Sequence, residues 1–137
     1  MNLELHHFFI LTEPEAKAAD LLLDLGILEG TRNTHEGQGT SNRRFNFSNG
    51  TLEFLWVHDP DEASNGPGRD MHLFDRTRKQ TASPFGIMLN RKDNVSLDMP
   101  FNGWKYQPDY FEPPRSFHIG SEKWGQIRLS KRLLDDY

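Results

Sequence analysis

The sequence predicts an α+β fold that begins with a strand and a helix and continues mostly in strands. Two observations lead to this prediction. Apolar residues follow the period of a helix only before Gly26, and beyond that point they alternate with polar residues as in strands. The second half of the chain also looks like a shortened repeat of the first. With 137 residues, the chain is long enough for one domain with its own core.

The first strand and the first helix are expected within residues 5–26. Residues 5–11 are predicted to form a buried strand because they are rich in phenylalanine and isoleucine. Thr12 and Glu15 have the spacing of a capping box, and Pro14 is compatible with a first helical turn. Gly26 is placed to end the helix. The predicted apolar stripe of this helix contains Ala18, Leu21, Leu22 and Leu25.

A β-hairpin is predicted after a glycine-rich turn at residues 36–39. A short strand precedes this turn, residues 43–47 form the first arm of the hairpin, and residues 51–57 form the second. Residues 48–50 have the Ser-Asn-Gly sequence that favours a tight hairpin turn. Alternation along the second arm places Leu52, Phe54 and Trp56 on one face and Glu53, Leu55 and Val57 on the other.

The second half is predicted to start with a loop over residues 59–68 and a short helix over residues 70–79. Residues 85–89 are similar to a second opening strand, and no helix is expected between residues 90 and 103. Further strand segments are expected at residues 104–110, 117–120 and 127–129.

Composition and charge exclude several classes of function. The net charge of −4 argues against binding to nucleic acid, and no apolar run is long enough to cross a membrane. The chain has no cysteine, which excludes disulfides and thiolate sites, and its N-terminus lacks a signal-peptide pattern. No serine-nucleophile, phosphate-loop, zinc-protease or dinucleotide motif occurs. We therefore expect a cytoplasmic protein with no nucleic-acid or membrane partner.

Several segments together resemble one known family. Residues 5–10 and 51–57, with the helix between them, resemble the opening module of glyoxalase-like proteins of the vicinal-oxygen-chelate superfamily. Residues 35–42 are similar to the His-x-Gly-x-Gly-Thr-x-Asn turn of a bacterial glyoxalase-like subgroup. Residues 82–87 and 104–108 are similar to later segments of that subgroup. The resemblance covers most of the chain and is strongest in its first 57 residues.

The resemblance implies a particular architecture. Two paired βαβββ modules, the second one degenerate, are expected to form a curved, mostly antiparallel sheet around a small-molecule cavity. The single domain of residues 1–137 is then divided into a first module (1–58), a linker with a short helix (59–83) and a shortened second module (84–137). The resemblance also implies a homodimer.

The resemblance further implies that His7 and Glu53 are metal ligands, since metal-dependent members carry one ligand on the first strand of a module and another on its last. One divalent ion (Fe, Mn, Ni, Co or Zn) is expected between them. The sequence departs from the family pattern, because Gly86 stands at the expected third ligand and residues 126–129 contain no carboxylate or histidine for a fourth. A partner chain, His118 or water is left to complete the set.

Glu53 is the candidate catalytic residue, because an unpaired carboxylate among large apolar side chains is costly to bury. Three roles are open at this point: metal ligand, general base, or structural partner of Arg43 or Arg44. His6 is expected to face away from His7 and to have a structural role.

The remaining candidates are expected to bind an organic ligand. Arg44 suits a carboxylate or phosphate group, and a solvated strand face is the alternative for it. Asn42 and His35 either hold the glycine-rich turn or reach the ligand. Aromatic side chains are expected to build the cavity wall; they are Phe9, Trp56, Trp104 and Tyr106.

Two classes of function follow from these candidates. One is an enzyme with a metal-assisted lyase, isomerase or dioxygenase-type reaction. The other is a protein of the same fold that sequesters a drug or metabolite without catalysis, and the missing ligand at Gly86 favours it. A structural or partner-binding domain is the third alternative, and the fold alone does not choose among them.

Overall fold

The computed structural model describes residues 3–92, 101–110, 116–121 and 126–130. The first half contains strand β1, Leu3–Leu11, followed by a 3-10 helix at Pro14–Ala19 and helix α1 at Asp20–Asp24. Three strands complete it: β2 at Asn33–His35, β3 at Thr40–Phe47 and β4 at Gly50–Val57. The predicted hairpin is confirmed, since residues 48 and 49 alone separate β3 from β4.

The second half contains two short helices and four strands. Helix α2 spans Pro60–Asn65, a 3-10 turn spans Arg69–Met71, and helix α3 spans Leu73–Arg78. The strands are β5 at Phe85–Arg91, β6 at Gly103–Tyr106, β7 at Phe117–Gly120 and β8 at Gln126–Ser130. The prediction of no helix between residues 90 and 103 falls mainly on residues 93–100, which lie outside the described residues.

The eight described strands form one sheet in the order β2-β3-β4-β1-β5-β8-β7-β6. Each half has the same arrangement: its first strand pairs in parallel with its last strand, and the two intermediate strands continue outward in antiparallel pairs. The halves join through the antiparallel pair of β1 and β5. This is the expected α+β fold of paired βαβββ modules with a mostly antiparallel sheet.

The first helix differs from its prediction. Thr12 does not cap it, because its hydroxyl donates to the carbonyls of Glu13 and Leu55. Glu15 and Ala16 have positive φ angles, which are not helical, so the segment contains a kink before α1 begins. The buried side chains are Ala16 and Ala19, whereas Leu21 and Leu25 are 66% and 76% exposed. Gly26 ends the helical segment as expected, with φ of +78°.

The predicted loop at residues 59–68 is wrong in part, because it contains helix α2. Asp59 caps this helix by accepting a hydrogen bond from the backbone of Glu62 at 3.0 Å, and Pro60 occupies the first turn. None of the helices in the part of the chain described by the structure is long and apolar enough to span a membrane.

The sheet has a separate apolar cluster on each face. Phe45, Phe54 and Trp56 pack with Ala16 and Ala19 beneath the helical segment. On the opposite face, side chains from both halves of the sheet pack together with the linker helices; they include Phe9, Leu11, Leu55, Met71, Leu73, Tyr106 and Ile119. This second face also carries the cavity.

Candidate functional site

A cavity of about 620 Å³ lies on the concave face of the sheet, a volume that suits a small organic ligand. Its polar wall comes from the first half of the chain and its apolar wall mostly from the second. The sheet curves until residues near its two edge strands meet, since the rings of His35 in β2 and Tyr110 after β6 lie 6.3 Å apart. Among its lining residues are His6, His7, His35, Asn42, Arg44, Glu53, Leu55, Met88, Tyr106, Tyr110 and Phe117.

Glu53 lies at the centre of the polar wall and is only 7% exposed. One carboxylate oxygen, Oε2, lies 3.3 Å from Nε2 of His7, and the other accepts a hydrogen bond from the side-chain amide of Asn42. Burial would raise the pKa of this carboxyl, but the hydrogen bond and charge of His7, the charge of His35 and the bond from Asn42 lower it from 4.5 to about 2. Glu53 is therefore ionised at neutral pH.

Neither arginine considered as a partner for Glu53 pairs with it. Arg43 lies on the opposite face, where it forms ion pairs with Glu29 and Asp20 at 2.7 Å each. Arg44 lines the cavity as predicted, and its Nε donates to the backbone carbonyl of Thr31 at 2.9 Å. This bond holds the guanidinium at the polar wall, on the strand position directly opposite Glu53.

Asn42 and His35 do both things that were considered for them: they hold the turn and face the cavity. Asn42 accepts a hydrogen bond from the backbone of Asn33 at 2.8 Å while its amide donates to Glu53. His35 Nδ1 lies 2.9 Å from the hydroxyl of Thr40, and its Nε2 lies 3.9 Å from Oε1 of Glu53. The glycine-rich turn therefore fixes two of the groups that surround the carboxylate.

His6 lies in the cavity wall, contrary to the expectation that it faces away from His7. The pairing of β1 with β5 runs from Leu5 opposite Leu89 directly to His7 opposite Met88, so His6 is the extra residue of a β-bulge. The bulge removes the alternation on which the expectation depended, and both histidines line the cavity.

Four aromatic residues were expected to build the cavity wall, and of these Tyr106 lines the cavity whereas Phe9, Trp56 and Trp104 do not. Trp56 is on the other face of the sheet, in the cluster beneath the helical segment. Phe9 is fully buried below the cavity floor, where Arg76 lies over its ring at 5.8 Å. Trp104 packs edge-on against Tyr106, and it is Tyr106 that reaches the cavity.

The described side chains do not reproduce the metal-ligand set that the family resemblance implies. A Cβ atom at Gly86 would overlap the ring of Phe9, so the position of the third ligand has no room for a side chain. His118 contacts the carbonyl of Phe101 at 3.0 Å. Among the residues that the structure describes, no group of three His, Cys, Asp or Glu side chains is arranged to hold an ion.

His35 does not replace the missing ligand in this geometry. The side-chain amide of Asn42 contacts both groups, 3.5 Å from Nε2 of the imidazole and bonded to Oε1 of the carboxylate. The two histidines approach different oxygens of Glu53, and the oxygen nearer His35 already accepts this bond. The metal at His7 and Glu53 stays a prediction.

Sequence reasoning missed several residues of the cavity. Met88 and Phe117 help to complete it, and they come from the second half of the chain, as does Tyr110, which the sequence offered as an aromatic wall residue. The alternation of β5 identifies Met88 as an inward-facing residue, but the curvature that brings the far edge of the sheet across the cavity has no signal in one sequence. The bulge at His6 has no such signal either.

No protein-family model matches the sequence, and a search of curated proteins finds no match. Solved structures do share its fold. A hypothetical protein from Bacillus halodurans C-125 is 10% identical, with a TM-score of 0.68, over 100% of this chain and 99% of that one. A hypothetical protein from Staphylococcus aureus is 12% identical, with a TM-score of 0.57, over 95% of this chain and 59% of that one.

Methylmalonyl-CoA epimerase from Mycobacterium tuberculosis also has this fold. It is 13% identical, with a TM-score of 0.56, over 93% of this chain and 87% of the epimerase. At this identity the likeness concerns the fold alone. It supports the α+β fold of two modules in one mostly antiparallel sheet, while the vicinal-oxygen-chelate superfamily and its bacterial subgroup stay predictions.

Proposed function

We propose that this protein binds a small organic acid in the cavity and transfers a proton to or from it. The observation that carries the proposal is the buried, ionised carboxylate of Glu53, held by two histidines and an asparagine in the wall of a cavity. Burying a charge in this way is costly, and such groups with a perturbed pKa concentrate at functional sites.

The two walls of the cavity indicate how the ligand lies. Arg44 is placed to bind a carboxylate or phosphate group, since guanidinium groups bind both through paired hydrogen bonds. The apolar part of the ligand then contacts Met88, Tyr106 and Phe117 on the opposite wall. A molecule with one acidic end and one apolar end fits this arrangement.

Within this proposal, Glu53 and His7 are the catalytic pair. Glu53 stays ionised, so it orients the imidazole of His7 and compensates the charge that the imidazole gains on accepting a proton. Removal of a proton next to a carbonyl leaves an enolate-like anion, which the positive charge of Arg44 stabilises. This chemistry belongs to isomerases and lyases.

Sequestration without catalysis is the second candidate, and one observation favours it. The ring of Phe9 occupies the place where metal-dependent relatives carry a third ligand, so the site lacks a group on which their chemistry depends. In this case Arg44 and the apolar wall account for binding, and Glu53 only balances the charge of the histidines.

The first test is thermal melting of the protein with malonate, glyoxylate, acetoacetate and 2-phosphoglycolate, each compared with its neutral amide or ester. A ligand at 100 times its Kd stabilises by about 2.7 kcal/mol, which is a rise in Tm of about 5 °C or more. We expect the rise with at least one acid and its loss in Arg44→Gln, while the exposed Arg69→Gln is the control. No rise with any acid, or an equal rise in Arg44→Gln, would contradict the proposal.

Deuterium exchange into the bound acid, followed by NMR in D2O, separates the two candidates. An enzyme speeds the exchange of the C–H beside the carbonyl, and Glu53→Gln slows it by about 100-fold or more while the variant still melts cooperatively. Binding without exchange identifies a sequestering protein. A Glu53→Gln variant that does not fold assigns Glu53 a structural role.

We also propose a homodimer in the cytoplasm, since β2 and β6 lie at the edges of the sheet and a partner would cover the backbone groups there. Light scattering at micromolar concentration tests the mass, and a monomeric mass would contradict the dimer.

A further inference from the structure

His6 is placed in the cavity by a defect in the pairing of the two central strands. It is the extra residue of the bulge in β1, between Leu5 and His7, and it lines the same cavity as His7. In a regular strand the two side chains would point to opposite faces. Bulges commonly redirect a side chain beside a functional site, so the position of His6 calls for a chemical explanation.

The two neighbouring imidazoles contact each other through nitrogen atoms. Nδ1 of His6 lies 2.7 Å from Nδ1 of His7, a hydrogen-bond distance that requires one nitrogen to donate and the other to accept. Nε2 of His7 lies 3.3 Å from the carboxylate of Glu53, and only a protonated Nε2 can donate to it. Neutral His7 therefore accepts at Nδ1, and the donor is Nδ1–H of His6.

The side chains of His6, His7 and Glu53 become progressively more buried from the cavity surface toward the protein interior. His6 is exposed, the side chain of His7 is 17% exposed and that of Glu53 is 9% exposed. His7 contacts His6 through Nδ1 and Glu53 through Nε2. A proton can therefore bind to His6 at the exposed end of the chain, and the resulting positive charge can be transferred to His7, beside the buried carboxylate. A hydrogen-bonded chain of this kind has the geometry of a proton relay.

We propose that His6 is the catalytic residue that exchanges a proton with the ligand, and that His7 and Glu53 form the rest of the relay. His6 takes a proton from the ligand and passes its own Nδ1 proton to Nδ1 of His7. His7 becomes an imidazolium beside the Glu53 carboxylate, and the ligand keeps the electron pair of the broken bond. The inference rests on the proposed function for the identity of the ligand as a small acid.

Other charged and titratable groups face the same cavity and act on this relay. They come from the two strands beyond β4 and from the glycine-rich turn, namely His35, Glu36 and Arg44. His35 contacts the opposite oxygen of Glu53, so protonation of His35 competes for the same carboxylate charge. The NMR signals of the three histidine rings must therefore be assigned and observed separately.

NMR of the protein labelled with ¹⁵N-histidine tests the relay without any ligand. We expect Nδ1–H in neutral His6 and Nε2–H in neutral His7, because these tautomers satisfy both contacts of His7. In His6→Gln, the ¹⁵N chemical shift of Nδ1 in His7 should change, because its hydrogen-bond donor has been replaced. The control is His72→Gln, which removes an exposed histidine from the start of α3. The opposite tautomers, or an Nδ1 shift of His7 that is the same in His6→Gln and in the wild type, would overturn the inference.

Exchange into a bound acid then tests the catalytic role. His6→Gln should slow deuterium exchange by about 100-fold while the rise in Tm on binding is kept, because Arg44 is unchanged. Unchanged exchange in this variant overturns the role of His6. Failure of every acid to bind overturns the proposed function instead, and the NMR result still decides whether the relay exists.

Discussion

Glu53 is the residue on which the polar wall depends, because its negative charge is shared among groups from three other strands. His7 comes from β1, His35 from β2 and Asn42 from β3. An ionised carboxylate that is 7% exposed is stable only while these partners compensate for its lost hydration. The same contacts that prepare the site for chemistry therefore contribute to the stability of the fold.

The pKa of Glu53 makes the stability of the protein depend on acidic pH. Its folded pKa, about 2, is lower than the ordinary value of 4.5, so its contribution is complete above pH 4.5 and is lost as the pH falls toward 2. We expect protonation of Glu53 to lower the free energy of unfolding by about 3 kcal/mol between pH 4.5 and pH 2. Urea unfolding at a series of pH values measures it.

Glu53→Gln is the variant that isolates this contribution, because it removes the titrating group at nearly constant size. Its free energy of unfolding should fall less steeply between pH 4.5 and 2 than that of the wild type. Glu36→Gln, at an exposed position on the same cavity, is the matched control and should keep the wild-type slope. Equal slopes in Glu53→Gln and the wild type would mean that the carboxylate is not held ionised by its neighbours.

Residue-level prediction from the sequence succeeded where alternation held. Glu53 and His7 face one cavity because β1 and β4 are regular at these positions, and Arg44 follows from the antiparallel pairing of β3 with β4. His6 was assigned to the wrong face because one residue of β1 is left out of the pairing with β5. Trp56 was placed correctly opposite Glu53, but that face is covered by the helical segment and not by a ligand.

At the scale of elements, the glycine-rich turn is held by helix α2 and its flanks. The backbone of Gly37 donates to the carboxylate of Glu62 at 2.7 Å, and the carbonyl of Gly39 accepts from the backbones of His58 and Asp59. These bonds fix the turn between β2 and β3, on which His35 and Asn42 depend. Helix α2, which lies in a segment predicted to be a loop, therefore supports the site.

Gly39→Ala should destabilise the protein strongly, because it introduces both backbone strain and a steric overlap. Gly39 has φ of +67°, and an added Cβ would overlap the carbonyl of Asp59 and lie 2.6 Å from the backbone nitrogen of Ala63. We expect a loss of about 3 kcal/mol or more in the free energy of unfolding, measured in urea.

Gly26→Ala is the matched control for this substitution. Gly26 has φ of +78°, but no atom lies within 4 Å of the added Cβ, so the variant contains the backbone strain without the steric overlap. Its cost should be about 1 kcal/mol. Equal losses in the two variants would show that the turn is not packed tightly against α2.

The helical segment shows how tertiary packing overrides a sequence pattern. Leu21 and Leu25 belong to a set of apolar residues whose i, i+3, i+4, i+7 spacing predicts a buried helical stripe. Both side chains are nevertheless exposed. The residues that pack against Phe45 and Phe54 are small, Ala16 and Ala19, which allow the backbone to approach the sheet closely. The positive φ at Glu15 rotates the chain so that this alanine face is turned inward.

At the scale of the molecule, the two halves have the same strand topology and different chemistry. The first half supplies the charged and hydrogen-bonding groups of the cavity, and the second supplies Met88, Tyr106 and Phe117. The sequence could predict the repeat, since β5 to β8 follow the same order as the strands of the first module. It also showed that the second half lacks ligands at Gly86 and at residues 126–129, but it could not predict that the ring of Phe9 leaves no room for a side chain at Gly86.

This asymmetry determines what metal binding should do to the whole protein. His7 and Glu53 supply two donors, the amide of Asn42 is bonded to the oxygen of Glu53 that His35 approaches, and the ring of Phe9 leaves no room for a side chain at Gly86. Two donors rarely hold a divalent ion tightly. We therefore expect that Mn, Fe(II), Co, Ni or Zn raises the Tm of chelator-treated protein by less than about 1 °C at stoichiometric concentration.

With Glu53→Gln and Glu36→Gln, this melting experiment distinguishes metal binding at His7 and Glu53 from binding at the protein surface. Any small rise caused by ions at the protein surface should be the same in the wild type and in both variants, because surface binding does not depend on the buried carboxylate. A saturable rise in the wild type that persists in Glu36→Gln and disappears in Glu53→Gln would show that His7 and Glu53 bind a metal. The chemistry of the cavity would then depend on that ion as well as on the histidines.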